Sequence, residues 1–245
     1  MADLAEVYDS TRRDLSAFVE GLDEADLHKD VPATPGWSVR DLICHLTGDV
    51  DCLLRGEYPR EFFGAFGEPD AVESLNRWTS GHVEKRRDTP LEDVLAEWDA
   101  LTTKELLPIV RGERSWPAGV PAIADRVLIT DLGVHQQDIY GAFGIQRARD
   151  SAPVKIGSSG YIVTFGLRLA SDGVGTLRFA TPEKEWTAGG EHPDATVRAS
   201  RFEFFRALSG RRNMDQIRGY EWDGDPEPFL PYFYLYGLRQ DALVE

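Results

Sequence analysis

Cysteine is almost missing from this chain: Cys44 and Cys52 are the only two in 245 residues. They fall on one predicted helix, two turns and more apart, which is roughly 12 Å of rise. A disulfide joins Cα atoms no more than about 7 Å apart, so none is expected, and a reducing compartment fits. Basic residues are also scarce. Lys and Arg number 27 against 42 Asp and Glu, for a formal net charge of −15. Such a surface repels phosphate backbones and anionic bilayers, which argues against nucleic acid and membrane as partners. No apolar run is long enough to span a bilayer. The acidic stretch Met1–Glu6 shows no signal-peptide pattern. A cytoplasmic location is expected.

What is present is helical periodicity. Leu15, Phe18, Val19 and Leu22 recur at helical spacing, predicting a helix over residues 3–22. A connection over 23–34 leads to the best-signalled start in the chain. Pro35-Gly36 makes a turn, Ser38 is the N-cap candidate, and Asp41 completes a capping box. The helix that follows carries Val39, Leu42, Ile43, Leu46, Val50, Leu53 and Leu54 on one arc. His45 lies at the edge of that arc. The stretch 56–67 is an aromatic loop with Tyr58, Phe62, Phe63 and Phe66. It reads equally as a cover over a site or as a plug at the end of a bundle.

A third helix is predicted over 70–87 and a fourth from Pro90, with Val94, Leu95, Trp98 and Leu106 on its apolar side. A fifth runs over 122–142, where Leu128, Leu132, His135 and Ile139 form the stripe. Asp131 sits one turn before His135, slightly to one side. Beyond Gly144 the texture changes to short mixed elements, and a domain boundary is expected between 143 and 155. A helix over 156–169 is followed by strands over 176–180, 185–188 and 195–199. Then come a helix over 201–208, a strand over 217–222 and an aromatic helix over 229–238. This is an α+β pattern.

The chemistry-bearing candidates are few. Asp131 and His135 are four apart and share a helix face. With His45 from another helix they make a two-imidazole, one-carboxylate set that leaves open positions on a divalent ion. Asp138 lies on the Asp131 side and is placed to orient a ligand. A histidine on an apolar stripe is more often a hydrogen-bonded core residue, and spacing alone leaves both readings open. His28, His82 and His192 lack ligand-like spacing and are expected to be solvated, with His82 kept as a spare ligand. Arg77, Arg86 and Arg87 are candidates for pairing a substrate carboxylate. For Arg86 and Arg87 plain solvation is the preferred expectation. No phosphate loop and no nucleophile elbow occur.

Two of these stretches carry a resemblance. Thr34-Pro35-Gly36-Trp37-Ser38-Val39-Arg40-Asp41-Leu42-Ile43-Cys44-His45-Leu46 resembles the first signature of the mycothiol-dependent maleylpyruvate isomerase family. Thr130-Asp131-Leu132-Gly133-Val134-His135-Gln136-Gln137-Asp138-Ile139 resembles its second. The family belongs to the DinB-like metal-binding bundles. The resemblance implies an α+β chain with a DinB-like antiparallel four-helix bundle over 1–145 and a small sterol-carrier-like α+β domain over 152–245. It implies metal ligands at His45, Asp131 and His135, a divalent metal with zinc foremost, and mycothiol or another low-molecular-weight thiol. The implied reaction is thiol addition to an activated small-molecule substrate, as an isomerase or a thiol S-transferase. Arg77 would hold a substrate carboxylate. The family pattern has Glu where this chain has Asp131, one methylene shorter, so an ion must sit nearer that helix or take fewer direct bonds. The competing expectation is a non-catalytic protein binding a small-molecule or lipid-like ligand, with structural histidines.

Overall fold

The computed structural model describes residues 3–59, 69–233 and 239–245. The chain divides into two compact units, Met1–Ala148 and Arg149–Val244. The first is helical and the second carries a small mixed sheet, so the chain is α+β.

In the first unit, α1 (Leu4–Glu20) starts at Asp3, whose carboxylate accepts from the backbone amides of Ala5 and Glu6. The expected connection contains a one-turn helix, α2 (Glu24–Leu27), capped by Asp23. Next, α3 (Val39–Arg55) begins with the anticipated capping box: Ser38 accepts from the Asp41 amide, and the Asp41 carboxylate accepts from the Ser38 amide. Val39, Leu42, Ile43, Leu46, Val50 and Leu53 are buried, so the predicted apolar arc is the packed face. Gly56, in the left-handed region at φ 71°, ends the helix. Phe62, Phe63 and Phe66 of the aromatic loop lie outside the described residues.

α4 (Pro69–Arg86) precedes a long composite helix. Pro90 caps α5 (Leu91–Leu101), which runs through a π-helical turn, Thr102–Leu106, into α6 (Leu107–Val110). Pro90 thus stands one position before the first helical residue rather than at it. α7 (Ala124–Ala142) completes the unit. α3 packs on α4, α5 and α7, while α1 packs on α7 and α6. Buried Arg12, paired with Asp9 on its own helix, links α1 to α5 through Asp99, each carboxylate 2.8 Å away, and Trp98 of α5 donates to the Tyr8 hydroxyl of α1 at 3.1 Å. Together α1, α3, α5–α6 and α7 enclose one core, with α4 laid against α3. Many residues of α3 are buried, so polar side chains on it face protein rather than water.

In the second unit, α8 (Ala152–Asp172) is followed by β1 (Leu177–Ala180), β2 (Glu185–Ala188), β3 (Ala195–Arg198), α9 (Arg201–Leu208), α10 (Met214–Arg218) and β4 (Glu221–Asp223). Sheet order is β2-β1-β3-β4; β1 and β3 are parallel, and both outer pairings are antiparallel. Phe165, Phe179, Phe204 and Phe233 interlock edge-on with centroids 5.0–5.1 Å apart to form the core. The strand expected over 217–222 is corrected. Asn213 and Gln216 make a second capping box that starts α10, so Ile217 is helical and the strand spans only 221–223. Of the expected 229–238 helix, Leu230–Phe233 is a 3₁₀ turn and 234–238 lies outside the described residues.

Candidate metal centre

Three helices of the first unit bring a polar cluster into a buried position. His45 comes from α3, Asp131 and His135 from α7, and His82 from α4. His45 and His135 retain only 3% and 6% of their exposure. The Asp131 side chain is 31% exposed, yet its Oδ2 is shut away from solvent with no hydrogen-bond partner among the described residues. His45 Nε2 stands 3.3 Å from Asp131 Oδ2, and His135 Nε2 stands 3.5 Å from Asp131 Oδ1. The two imidazoles meet edge to face with centroids 4.9 Å apart.

The Nδ1 atoms of His45 and His135 face further polar groups behind this set. His135 Nδ1 donates to the buried Asp138 carboxylate at 2.9 Å. A carboxylate only accepts, so Nδ1 carries the proton and Nε2 presents its lone pair. His45 Nδ1 faces His82 Nδ1 at 3.3 Å and Asp49 Oδ1 at 3.5 Å. His82 Nδ1 lies 3.3 Å from the same Asp49 oxygen. Trp37 packs against His45 and Trp78 against His82, with centroids 5.2 Å and 4.3 Å away.

Two carboxyls of the cluster are shifted in opposite directions. Burial pushes the Asp49 carboxyl well above the usual carboxylate range; His45 pulls it back and the Asp131 charge adds to the rise. Burial would raise Asp131 too, but attraction to His135 and His45 outweighs it and leaves Asp131 below the usual range. Burial also lifts the Tyr8 hydroxyl far above its ordinary value, with Trp98 opposing and Asp49 reinforcing, so it stays protonated beneath the cluster.

The donor set suits a divalent ion of the zinc class. Ligands at about 2.0–2.2 Å from a tetrahedral ion lie about 3.3–3.6 Å from one another, and each contact of Asp131 falls in that range, one through Oδ2 and one through Oδ1. A buried, unpartnered carboxylate oxygen beside the His45 nitrogen, with a second imidazole at the other oxygen, is an environment a cation relieves.

Arg77 stands apart: its side chain is 68% exposed and pairs with Glu73 one turn earlier on α4. Two expectations are corrected. His82 is not solvated but 3% exposed within the cluster. Arg86 is not solvated either; it is buried between α3 and α5, where it pairs with Asp51 at 3.0 Å and Glu97 at 2.6 Å. Arg87 is exposed and pairs with Glu84. Cys44 is buried beneath Arg40, and burial pushes its thiol up; Cys52 is half-buried, and both are free thiols.

Asp49 and His82 are cluster members that spacing alone did not single out. A signal existed: His45 and Asp49 stand four apart on α3, the same pairing as Asp131 and His135 on α7 in reverse order.

A family model described as the mycothiol maleylpyruvate isomerase N-terminal domain matches residues 8–140. Two crystal structures share the fold, one of the mycothiol-dependent maleylpyruvate isomerase and one of its mutant with a histidine replaced by alanine. Each is 13% identical to this chain, and in each case 91% of this chain and 93% of the other are covered, with TM-scores of 0.51 and 0.54. No curated protein matches the chain in sequence. No helix among the described residues is long and apolar enough to cross a membrane.

Proposed function

The chain belongs to the mycothiol maleylpyruvate isomerase family, and from that premise we propose a divalent-metal-dependent enzyme that uses mycothiol or another low-molecular-weight thiol. The observation that carries the reading is the approach of His45 Nε2 and His135 Nε2 to the one carboxylate of Asp131, at 3.3 and 3.5 Å. In this reading residues 1–145 form the metal-binding domain, 152–245 form the second, and His45, Asp131 and His135 are the ligands.

The reaction class is thiol addition to the activated double bond of a small substrate such as a cis-enedioate. Expulsion of the thiol after bond rotation makes the protein an isomerase; retention makes it an S-transferase. A divalent ion, zinc first, supplies the positive charge that favours thiolate over thiol near neutral pH. The chain's own residues do the rest. Asp138 holds the proton on His135 Nδ1 and so fixes which nitrogen faces the centre. Asp131 contributes a carboxylate that its two histidine neighbours keep ionised. Trp37 and Trp78 wall off the rings of His45 and His82 from water. Three protein donors leave at least one position free for a sulfur or an oxygen of substrate. Arg77 is assigned to a substrate carboxylate, which requires it to exchange Glu73 for the incoming anion.

The test is metal analysis of tag-free protein together with a thiol-dependence assay on a cis-enedioate. Stoichiometric metal that is lost in His45→Ala, and turnover only with added thiol, are expected. Undiminished metal in His45→Ala, or no metal in wild type, rejects the enzyme reading in favour of a ligand-binding protein with structural histidines.

A further inference from the structure

We propose that His45, Asp49 and His82 form a second divalent-cation site, which shares the His45 ring with the first but uses its other nitrogen. All three side chains are buried, with 3%, 5% and 3% of their exposure left. Their facing atoms make a closed triangle: His45 Nδ1 to His82 Nδ1 3.3 Å, His82 Nδ1 to Asp49 Oδ1 3.3 Å, and His45 Nδ1 to Asp49 Oδ1 3.5 Å.

Those lengths decide between two uses. A strong hydrogen bond from an imidazole to a carboxylate spans about 2.7–2.9 Å, as His135 and Asp138 show at 2.9 Å. The two sides that reach Asp49, at 3.5 and 3.3 Å, are both longer. The triangle matches instead the edges of a coordination tetrahedron with bonds of about 2.0–2.2 Å. A second observation points the same way. Asp49 Oδ1, the corner shared by two sides, is buried and has no hydrogen-bond partner among the described residues. The side chain is more than nine-tenths buried and aims this oxygen between two imidazoles. An uncompensated acceptor there is costly, and a cation removes the cost.

The backbone makes room for this arrangement. Position 48 is glycine, and a Cβ there would meet His82 Cβ and Cγ at 2.3 Å. Only without a side chain at 48 can α4 bring His82 down onto His45.

Two imidazoles and one carboxylate select a zinc-class ion over calcium or magnesium, which prefer all-oxygen shells. His45 presents Nε2 to Asp131 and Nδ1 to Asp49, so neither set takes the atom the other needs. Filling both would make His45 an imidazolate bridge, with its ring proton and any proton on the Asp49 carboxyl passing to solvent. Two dications are then offset by that imidazolate and the carboxylates of Asp49, Asp131 and Asp138, leaving the buried cluster neutral.

The experiment is Zn²⁺ titration of metal-stripped, tag-free full-length protein by calorimetry, repeated with Co²⁺ to read coordination from its visible absorbance. Wild type should take about two equivalents, and His82→Gln and His135→Gln about one each, with folding checked by circular dichroism. One equivalent in wild type that persists in His82→Gln overturns the proposal. One equivalent lost in both variants also overturns it, since a single shared ion is then present. One equivalent kept by His135→Gln but lost by His82→Gln supports this site and rejects the metal assignment under the proposed function. If His82→Gln does not fold, Asp49→Asn replaces it and is read in the same way.

Discussion

Gly48 lies directly under His82: a methyl group on the glycine would come within 2.3 Å of two carbons of that histidine. The pair sets how closely α4 approaches α3, and hence whether His82 reaches His45. Gly48→Ala should force the helices apart and lower stability by about 1–3 kcal/mol. His82→Ala should not relieve the clash, because the histidine's own Cβ is one of the atoms met. Chemical denaturation of the two single variants and the double variant checks this; a double variant as stable as wild type would refute the packing argument.

Asp138 acts through His135. Asp138→Asn keeps the shape but lets the side chain donate, so the proton on His135 Nδ1 is no longer fixed. Zinc affinity should fall about 10–100-fold, read by competition with a chromophoric chelator, while the melting temperature moves little by comparison.

Asp131 and His135 should separate fold from metal. Asp131 is part-exposed and His135 is buried. Asp131→Ala should weaken metal binding and leave the stability of the metal-free protein within about 1 kcal/mol of wild type. His135→Ala should lose metal and cost about 2–3 kcal/mol through the cavity it leaves. Equal losses of stability in the two metal-free variants would contradict this placement.

Arg86 joins three helices through Asp51 and Glu97. Arg86→Met leaves Asp51, whose side chain is 11% exposed, without that partner, although Lys85 at 2.6 Å and Arg55 at 3.1 Å remain. A loss of about 2–4 kcal/mol is expected. Arg87→Met, on an exposed side chain, should change stability by less than about 0.5 kcal/mol. Urea unfolding of the pair measures the contrast.

Glu203 carries a pH dependence in the second unit. Burial alone would raise its carboxyl; Arg212, bonded at 2.7 Å to both oxygens, and the Tyr220 hydroxyl at 3.1 Å outweigh that and hold it below the usual range. Its folded-state pKa is thus lower than its unfolded one. The stabilisation is present above the unfolded pKa and is lost as pH falls through the folded pKa. Glu203→Gln should cost about 1–3 kcal/mol at pH 7, with the gap to wild type closing in acid. Thermal unfolding across pH 7 to 3 reads it, and a gap that widens in acid would reverse the sign.

Much of the helical unit was legible because its signals are local. Ser38 and Asp41 announce α3 by a capping box, and the apolar arc from Val39 to Leu53 announces its buried face. The Asp131, His135 and Asp138 spacing already places three polar groups on one side of α7. His82 and Arg86 were illegible for a physical reason. They are the most deeply buried positions of the α4 face that runs through Trp78, His82 and Arg86, and both are polar. Hydrophobic periodicity finds a buried face only where apolar residues cover it, and here ion pairs and ring contacts do so. In the second unit, Ile217 matched a strand by residue type, but the Asn213–Gln216 capping box takes it into a helix.

The sheet of the second unit has one further consequence, for self-association. Its outer strands, β2 and β4, have only four and three residues, and each opens with a glutamate. Strands this short offer few free backbone groups to a neighbouring molecule, and the acidic side chains repel a like edge. The tryptophan on β2, Trp186, pairs with Phe179 of β1 and is capped by Lys184 and Arg201, whose charged groups lie 5.0 and 4.9 Å from its ring. The most adhesive side chain of that margin is thus covered by cations. The edges are built to stop strand addition, so this protein should stay dispersed at concentrations where an unguarded sheet would begin to grow into fibres.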